Sequence, residues 1–162
     1  METPAGWLAA LERTEVAAAM RSSPWLYPAV EIVHLVGIAL LVGAATLFDL
    51  RLLGLGRSLP VGALGGHLLG WSRRSLVLVV PSGALLFSAH AVEIWANPAF
   101  RLKLVLFAAA GLNALVFHEV TARGMAAWEV GRTAPPAARA AACVSLVCWL
   151  GVIACGRLIA YV

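Results

Sequence analysis

Charged residues are scarce in this chain, and their scarcity excludes most classes of soluble protein. Only 12% of the 162 residues are charged, whereas 62% are hydrophobic, and the mean hydropathy is +0.90. A soluble domain of this size keeps a polar exterior, because folding buries only part of its surface. We therefore expect lipid to be the solvent for most of the chain, which we interpret as one membrane domain over residues 1–162.

The sequence also lacks the motifs of several catalytic and binding classes. It has no phosphate-binding loop, no nucleophile–base pair and no Cys/His spacing for a structural zinc ion. The basic residues are scattered, so we predict no nucleic-acid partner. No basic patch precedes an apolar core at the N-terminus, so we predict no cleaved signal peptide. The cysteines have no CxxC spacing, and we interpret them as small buried hydrophobic residues: Cys143, Cys148 and Cys155.

The hydrophobic runs that are present predict an all-α fold, a bundle of four transmembrane helices. About 20 helical residues at about 1.5 Å each cross the hydrocarbon of a bilayer. A more polar segment, residues 4–21, predicts an amphipathic helix at the membrane interface. We assign the glycine-rich residues 62–75 to an interfacial stretch. The predicted spans are residues 30–53, 76–95, 100–121 and 140–162.

The distribution of basic residues predicts the orientation of these spans. Seven arginines fall on one side of the membrane: Arg51, Arg57, Arg73, Arg74, Arg123, Arg132 and Arg139. Four basic residues fall on the other side: Arg13, Arg21, Arg101 and Lys103. Because an excess of basic residues marks the cytoplasmic side, we expect both termini to face outward.

Ionisable side chains near the outer ends of the first two spans predict a site. Glu31 and His34 share one helix face near the start of the first span. His90 and Glu93 lie near the end of the second span. Because these helices are antiparallel, we expect both imidazoles at about 6–8 Å below the outer surface. Arg157 on the fourth span reaches a similar depth, and such intramembrane charges are by default functional.

Three chemistries suit this polar cluster. Two facing imidazoles, His34 and His90, can ligate one haem iron axially, with Arg157 beside a propionate. The set of His34, His90, Glu31 and Glu93 equally suits a zinc, iron or copper ion. The third interpretation needs no cofactor, because a hydrogen-bonded and charge-paired network would fix the helix packing.

Two further histidines lie toward the opposite side of the membrane. His67 is in the stretch before the second predicted span, and His118 is near the end of the third. Together they could bind a second haem, and two haems at two depths would form a transmembrane electron relay. Alternatively, His67 is a solvated loop residue, and His118 has a polar partner within the bundle.

Several motifs carry a resemblance to a known family. They are residues 23–28 with Glu31 and His34, residues 49–54, residues 97–103, and residues 111–114 with Phe117 and His118. Together they resemble an uncharacterised family of small bacterial four-helix membrane proteins, over nearly the whole chain. The resemblance implies a four-helix fold and placement in a bacterial membrane, but no activity. With the distribution of basic residues, we predict a multi-pass protein of the bacterial inner membrane with both termini periplasmic. A looser similarity, in helix number and inward histidines alone, is to the two-haem transmembrane b-type cytochromes.

The sequence therefore leaves three functions open. The leading prediction is an integral membrane b-type cytochrome or haem-bearing subunit that transfers electrons through haem b, on His34 and His90. The second is a non-catalytic accessory subunit of a larger membrane complex, without a cofactor. The third is a metal-handling or transport protein that uses the His/Glu cluster. Small-residue faces on the spans are also compatible with a homo-oligomer.

Overall fold

The computed structural model describes residues 4–121 and 130–161, and its regular elements in these ranges are all helical. This confirms the predicted all-α class. A π-helical turn, Phe117–Thr121, extends the sixth helix. The α-helices are α1 (Pro4–Glu12), α2 (Glu15–Ser22), α3 (Leu26–Leu53), α4 (Val61–Ala89), α5 (Ala91–Ala96), α6 (Pro98–Val116) and α7 (Pro136–Leu158).

Three helices of the described chain are long and apolar enough to cross a membrane: Leu26–Leu53, Pro98–Val120 and Pro136–Leu158. Many of their large apolar side chains are exposed, which indicates a membrane protein whose outer surface contacts lipid. The fourth long helix, α4, has 29 residues but is not among these three. Arg73 and Arg74 lower the hydropathy near its middle.

The prediction for the second hydrophobic segment was wrong in its boundaries. Residues 62–75 do not form a separate interfacial stretch, because α4 runs unbroken from Val61 to Ala89, through Pro81. The short helix α5 follows it and ends at Ala96. Gly65 in the first half of α4 allows close packing on α3, since a Cβ atom there would lie 2.9 Å from the Phe48 ring. Tertiary packing thus outweighs the low helix propensity of glycine.

The predicted single helix over residues 4–21 is instead two short helices. Thr14 ends α1, because its hydroxyl donates to the Leu11 carbonyl (2.8 Å), and it caps α2 by accepting from the Ala17 amide (3.3 Å). Met20 is buried where α2 packs against α4. The Arg21 guanidinium donates to the Ala89 carbonyl over 2.9 Å. The N-terminal segment therefore caps one end of the bundle.

The four long helices alternate in direction and define two ends of the bundle. We call the end with α1, α2 and α5 the capped end. The Asn97 side-chain amide donates to the Ile159 carbonyl there (3.2 Å), so the chain following α7 also reaches the capped end. We call the opposite end, with residues 54–60 and 130–135, the loop end. The Gly131 amide joins these two segments by donating to the Arg57 carbonyl (2.9 Å).

The bundle is most tightly packed between α3 and α4 and between α6 and α7, with α3 against α7. Within the described chain, α4 and α6 make no close backbone contact. A set of buried apolar residues, which we call the central apolar layer, joins the four long helices at mid-height. Its members are Leu41, Ala45, Val79, Ala110, Cys148, Trp149 and Val152.

Candidate functional site

Polar side chains inside the bundle occupy two positions on opposite sides of the central apolar layer. The Asp49 site, toward the loop end, consists of Asp49, Ser72, Asn113 and Ser145. The Lys103–His34 site, toward the capped end, consists of His34, Ser82 and Lys103. Fifteen residues separate Asp49 from His34 on α3, which corresponds to about 22 Å along the helix axis.

The Asp49 carboxylate is buried, and no cation among the described residues pairs with it. Its residue is 6% exposed, and the Ser145 hydroxyl of α7 hydrogen-bonds to it. The other carboxylate oxygen, Oδ2, is buried and has no hydrogen-bond partner among the described residues. The nearby Arg51 is directed to the loop end instead, where its Nε donates to the Leu59 carbonyl (2.9 Å). Such an unsatisfied buried acceptor is rare in folded proteins and requires an explanation.

A cavity of about 80 Å³ lies beside Asp49. Ser72 donates its hydroxyl hydrogen to the Leu41 carbonyl (3.2 Å), and the Asn113 side-chain NH₂ donates to the Ala141 carbonyl (3.0 Å). Both side chains therefore retain oxygen atoms that can accept a hydrogen bond. The cavity has room for about two water molecules at about 30 Å³ each. Most of the cavity lining is apolar, and its polar groups are those of Asp49, Ser72, Asn113 and Ser145. A proton or a small cation on the carboxylate would satisfy this arrangement.

Asp49 was not among the site residues predicted from the sequence. A signal was present in the helical spacing. Asp49 lies four residues after Ala45 and eight after Leu41, on the face of α3 that is buried against its neighbours. Residues at this spacing share one helix face, so Asp49 was predictable as an inward residue.

The Lys103–His34 site has a fixed imidazole and a nearby ammonium group. His34 is half-buried, and its Nδ1 lies 2.9 Å from the Ser82 hydroxyl oxygen. That hydroxyl donates to the Leu78 carbonyl of its own helix. A Cβ atom on Gly83 would lie 3.0 Å from the ring, so the absence of a side chain lets the imidazole lie close to α4. Lys103 of α6 is near enough to interact electrostatically with His34.

The structure does not assemble the predicted cluster of two histidines and two glutamates. Glu31 and Glu93 are exposed, and so is His90, which caps the end of α4. His34 lies level with Ser82, and His90 follows Ser82 by eight residues, about 12 Å along the helix. The described residues contain no group of three or more His, Cys, Asp or Glu side chains that could hold a metal ion. Haem ligation by His34 and His90 stays a prediction.

The other predicted site residues are at the surface. Arg157 is exposed, donates to the Tyr161 hydroxyl (2.8 Å) and stacks on its ring. His67 is exposed on α4, and His118 is exposed on the π-helical turn. The second haem between these two histidines also stays a prediction.

One comparison with known proteins gives a match. A family of unknown function (DUF6644) matches residues 26–162, a range that includes α3 to α7 and both polar sites. No curated protein and no solved structure matches the chain. The resemblance to an uncharacterised family is confirmed, whereas similarity to the b-type cytochromes is not shown.

Proposed function

This chain belongs to that family of unknown function, and from its own geometry we propose that it is a membrane transport protein in which Asp49 takes up and releases a proton. The observation that carries the proposal is the buried Oδ2 atom of Asp49, which lacks a partner among the described residues. A buried carboxylate costs several kcal/mol unless a proton or a cation neutralises it. Ionisable residues inside membrane domains are typical of proton and ion pathways.

The position of Asp49 in the bundle supports transport rather than simple binding. The central apolar layer separates the Asp49 site from the Lys103–His34 site. Apolar constrictions of this kind act as gates in channels and transporters. A solute that moves through the bundle would therefore have a polar site on each side of a gate. This proposal falls in the transport class that the sequence left open, but with different residues.

We further propose that α4 is the fourth span of this bundle. Its 29 residues correspond to about 43 Å of helix. Arg73 and Arg74 are exposed, and the Arg74 guanidinium stacks at 5.6 Å over Trp71, one turn nearer the loop end. Long basic side chains can reach toward headgroups in this way while their stems stay in lipid. The packing between α3 and α4 is the tightest in the bundle, and it also supports a spanning position for α4.

The proposed location is the bacterial inner membrane, with the loop end in the cytoplasm. Arg57, Arg132 and Arg139 are exposed at or near the loop end, and basic residues are enriched on the cytoplasmic side of membrane proteins. Both termini would then be periplasmic, because α1 and the chain following α7 lie at the capped end.

Proton flux into proteoliposomes tests the proposal. The vesicles contain a pH-sensitive dye, and a potassium gradient with valinomycin sets the membrane potential. We expect wild-type protein to acidify the lumen and Asp49→Asn to lower the rate about tenfold or more, because the amide cannot take up the proton. Ser75→Ala is the matched control. Ser75 is also buried on α4, but its hydroxyl bonds to the Ser72 carbonyl (2.6 Å) and does not line the cavity.

Infrared difference spectra supply a direct readout of the proton. We expect a carboxylic C=O band to appear on acidification of the wild-type protein and to be missing in Asp49→Asn. Equal proton flux in wild-type and Asp49→Asn vesicles would contradict the proposal. A sodium flux that depends on Asp49, without any proton flux, would show that the site takes up a sodium ion instead of a proton and would contradict the proposal.

A further inference from the structure

The Lys103–His34 site contains a cation for which the described part of the chain supplies no counter-ion. Lys103 lies on the inward face of α6, beside Gly156 and Cys155 of α7. Among the described residues, no carboxylate pairs with its ammonium group, and the charged group that acts on His34 is Lys103 itself. A cation inside a membrane domain is costly unless it is paired. The site therefore favours the binding of a negative charge.

The hydrogen bonds of His34 fix which ring nitrogen can take up a proton. The Ser82 oxygen lies within hydrogen-bonding distance of two carbonyl oxygens of its own helix, those of Leu78 and Val79, and we assign its single hydrogen to them. Toward His34 the Ser82 oxygen then accepts, so in this assignment Nδ1 of the imidazole carries a hydrogen and donates. Neutral His34 then has a lone pair on Nε2, which repels an anion until Nε2 is protonated.

We propose that Lys103 and His34 bind one small monovalent anion, a carboxylate or a halide, together with one proton. The ammonium group attracts the anion, and protonation of Nε2 converts the imidazole into a second donor. On its own helix, the exposed Glu31 carboxylate precedes His34 by three residues. On α4, the described groups around His34 are Ser82 and Gly83, which bear no charge, and α7 contributes the thiol of Cys155 beside Lys103. Uptake of an anion with a proton leaves the net charge of the bundle unchanged. This limits the free-energy cost of placing the anion inside a membrane domain.

This inference goes beyond the proton site at Asp49 and does not depend on it. The two sites use different side chains and lie about 22 Å apart along α3. A protein that has both sites could couple the movement of an anion to that of a proton. Anion binding should nevertheless persist in Asp49→Asn, so the two proposals can fail separately.

Isothermal titration calorimetry tests the anion site on the full-length protein in detergent. Sodium formate, sodium acetate and sodium chloride are the probes, each in two buffers with different ionisation enthalpies. We expect saturable binding of at least one anion, with a difference in heat between the buffers that corresponds to uptake of about one proton per site. Lys103→Gln should weaken the binding by about tenfold or more, because the variant lacks the charge-assisted hydrogen bond of the ammonium group.

His34→Gln separates the role of the imidazole from that of Lys103, and Arg101→Gln is the control. His34→Gln should retain weaker binding but lose the proton uptake. Arg101→Gln should bind like the wild-type protein, because Arg101 is an exposed cation on the same helix. Should Lys103→Gln fail to fold, Lys103→Met replaces it, with wild-type helicity by circular dichroism as the criterion for its use.

Several outcomes would overturn the proposal. They are the absence of saturable binding for all three anions, undiminished affinity in both Lys103 variants, or binding without proton uptake. A repeat in nanodiscs distinguishes a free anion from a lipid phosphate. If phosphatidylglycerol, but not phosphatidylcholine, abolishes the binding, a headgroup occupies the site and the assignment to a small free anion is wrong.

Discussion

The Asp49 site and the Lys103–His34 site differ in the sign of their charge and in their access to the surface. Asp49 is 6% exposed, and its site is a small cavity on the loop-end side of the central apolar layer. His34 and Lys103 are half-buried nearer the capped end. One acceptor atom of the first site is unsatisfied among the described residues, whereas the imidazole of the second is held by Ser82.

The two sites are too far apart for their opposite charges to neutralise each other. At about 22 Å and an effective dielectric constant of about 20, two unit charges attract by less than about 1 kcal/mol. That energy is smaller than the cost of burying either charge. Among the described residues, neither site therefore has a partner of opposite charge.

A substitution between the two sites should produce the largest effect, because it moves the helices that carry both. A Cβ atom on Gly37 would lie 2.9 Å from a Val79 methyl group and 3.2 Å from the Val79 backbone nitrogen. Gly37→Leu should therefore force α3 away from α4 and lower the free energy of unfolding by about 3 kcal/mol or more. Denaturant titration in detergent would measure this loss.

The control for this substitution is on the same helix. Nothing lies within 4 Å of a Cβ atom on Gly43, so Gly43→Leu should be neutral or stabilising, given the low helix propensity of glycine. We expect Gly37→Leu to abolish both anion binding and proton flux. The loss of one activity alone would show that the two sites do not share the α3–α4 contact.

Removal of the Asp49 charge should have the next largest effect, and it should be stabilising. The amide in Asp49→Asn has nearly the shape of the carboxylate, without the cost of a buried charge. We expect a gain of about 1–3 kcal/mol in the free energy of unfolding, together with the loss of proton flux. Glu31→Gln, at an exposed carboxylate of the same helix, should change stability by less than about 0.5 kcal/mol. A loss of stability in Asp49→Asn would mean that the carboxylate has a structural role.

The apolar helices could be predicted from the sequence, whereas the partners of the polar side chains could not, for different physical reasons. Long hydrophobic runs predicted α3, α6 and α7 because length and composition alone decide whether a helix can span lipid. The glycine-rich start of α4 was predicted to be an interfacial stretch, because its helical form depends on contact with α3 rather than on local propensity.

The partners of the polar residues depend on where distant segments meet. His34 was predicted to face inward, but Ser82 and Lys103 come from two other helices, and their relative heights are not encoded in any local pattern. His90 was predicted at a similar depth, yet α4 ends at Ala89 and leaves His90 exposed at the capped end. A shift of a few residues in one helix end is enough to separate two predicted ligands.

Gly83→Ala has the smallest predicted effect. It distinguishes the two sites best, because it should change the Lys103–His34 site and leave the Asp49 site unchanged. The added methyl group in Gly83→Ala would lie 3.0 Å from Cε1 of His34, so the ring must shift by a few tenths of an ångström. This shift should lengthen the 2.9 Å contact with Ser82 and reposition Nε2 relative to Lys103. We expect anion affinity by calorimetry to fall about tenfold, equivalent to about 1.4 kcal/mol.

Gly70→Ala controls for the change in helix propensity. Gly70 is on the same helix, and nothing lies within 4 Å of a Cβ atom there, so its anion affinity should equal that of the wild-type protein. Proton flux through the Asp49 site should be the same in both variants, because neither glycine lines that cavity. If Gly83→Ala lowered proton flux without changing anion affinity, His34 would belong to the proton path and the division of the bundle into two independent sites would be wrong.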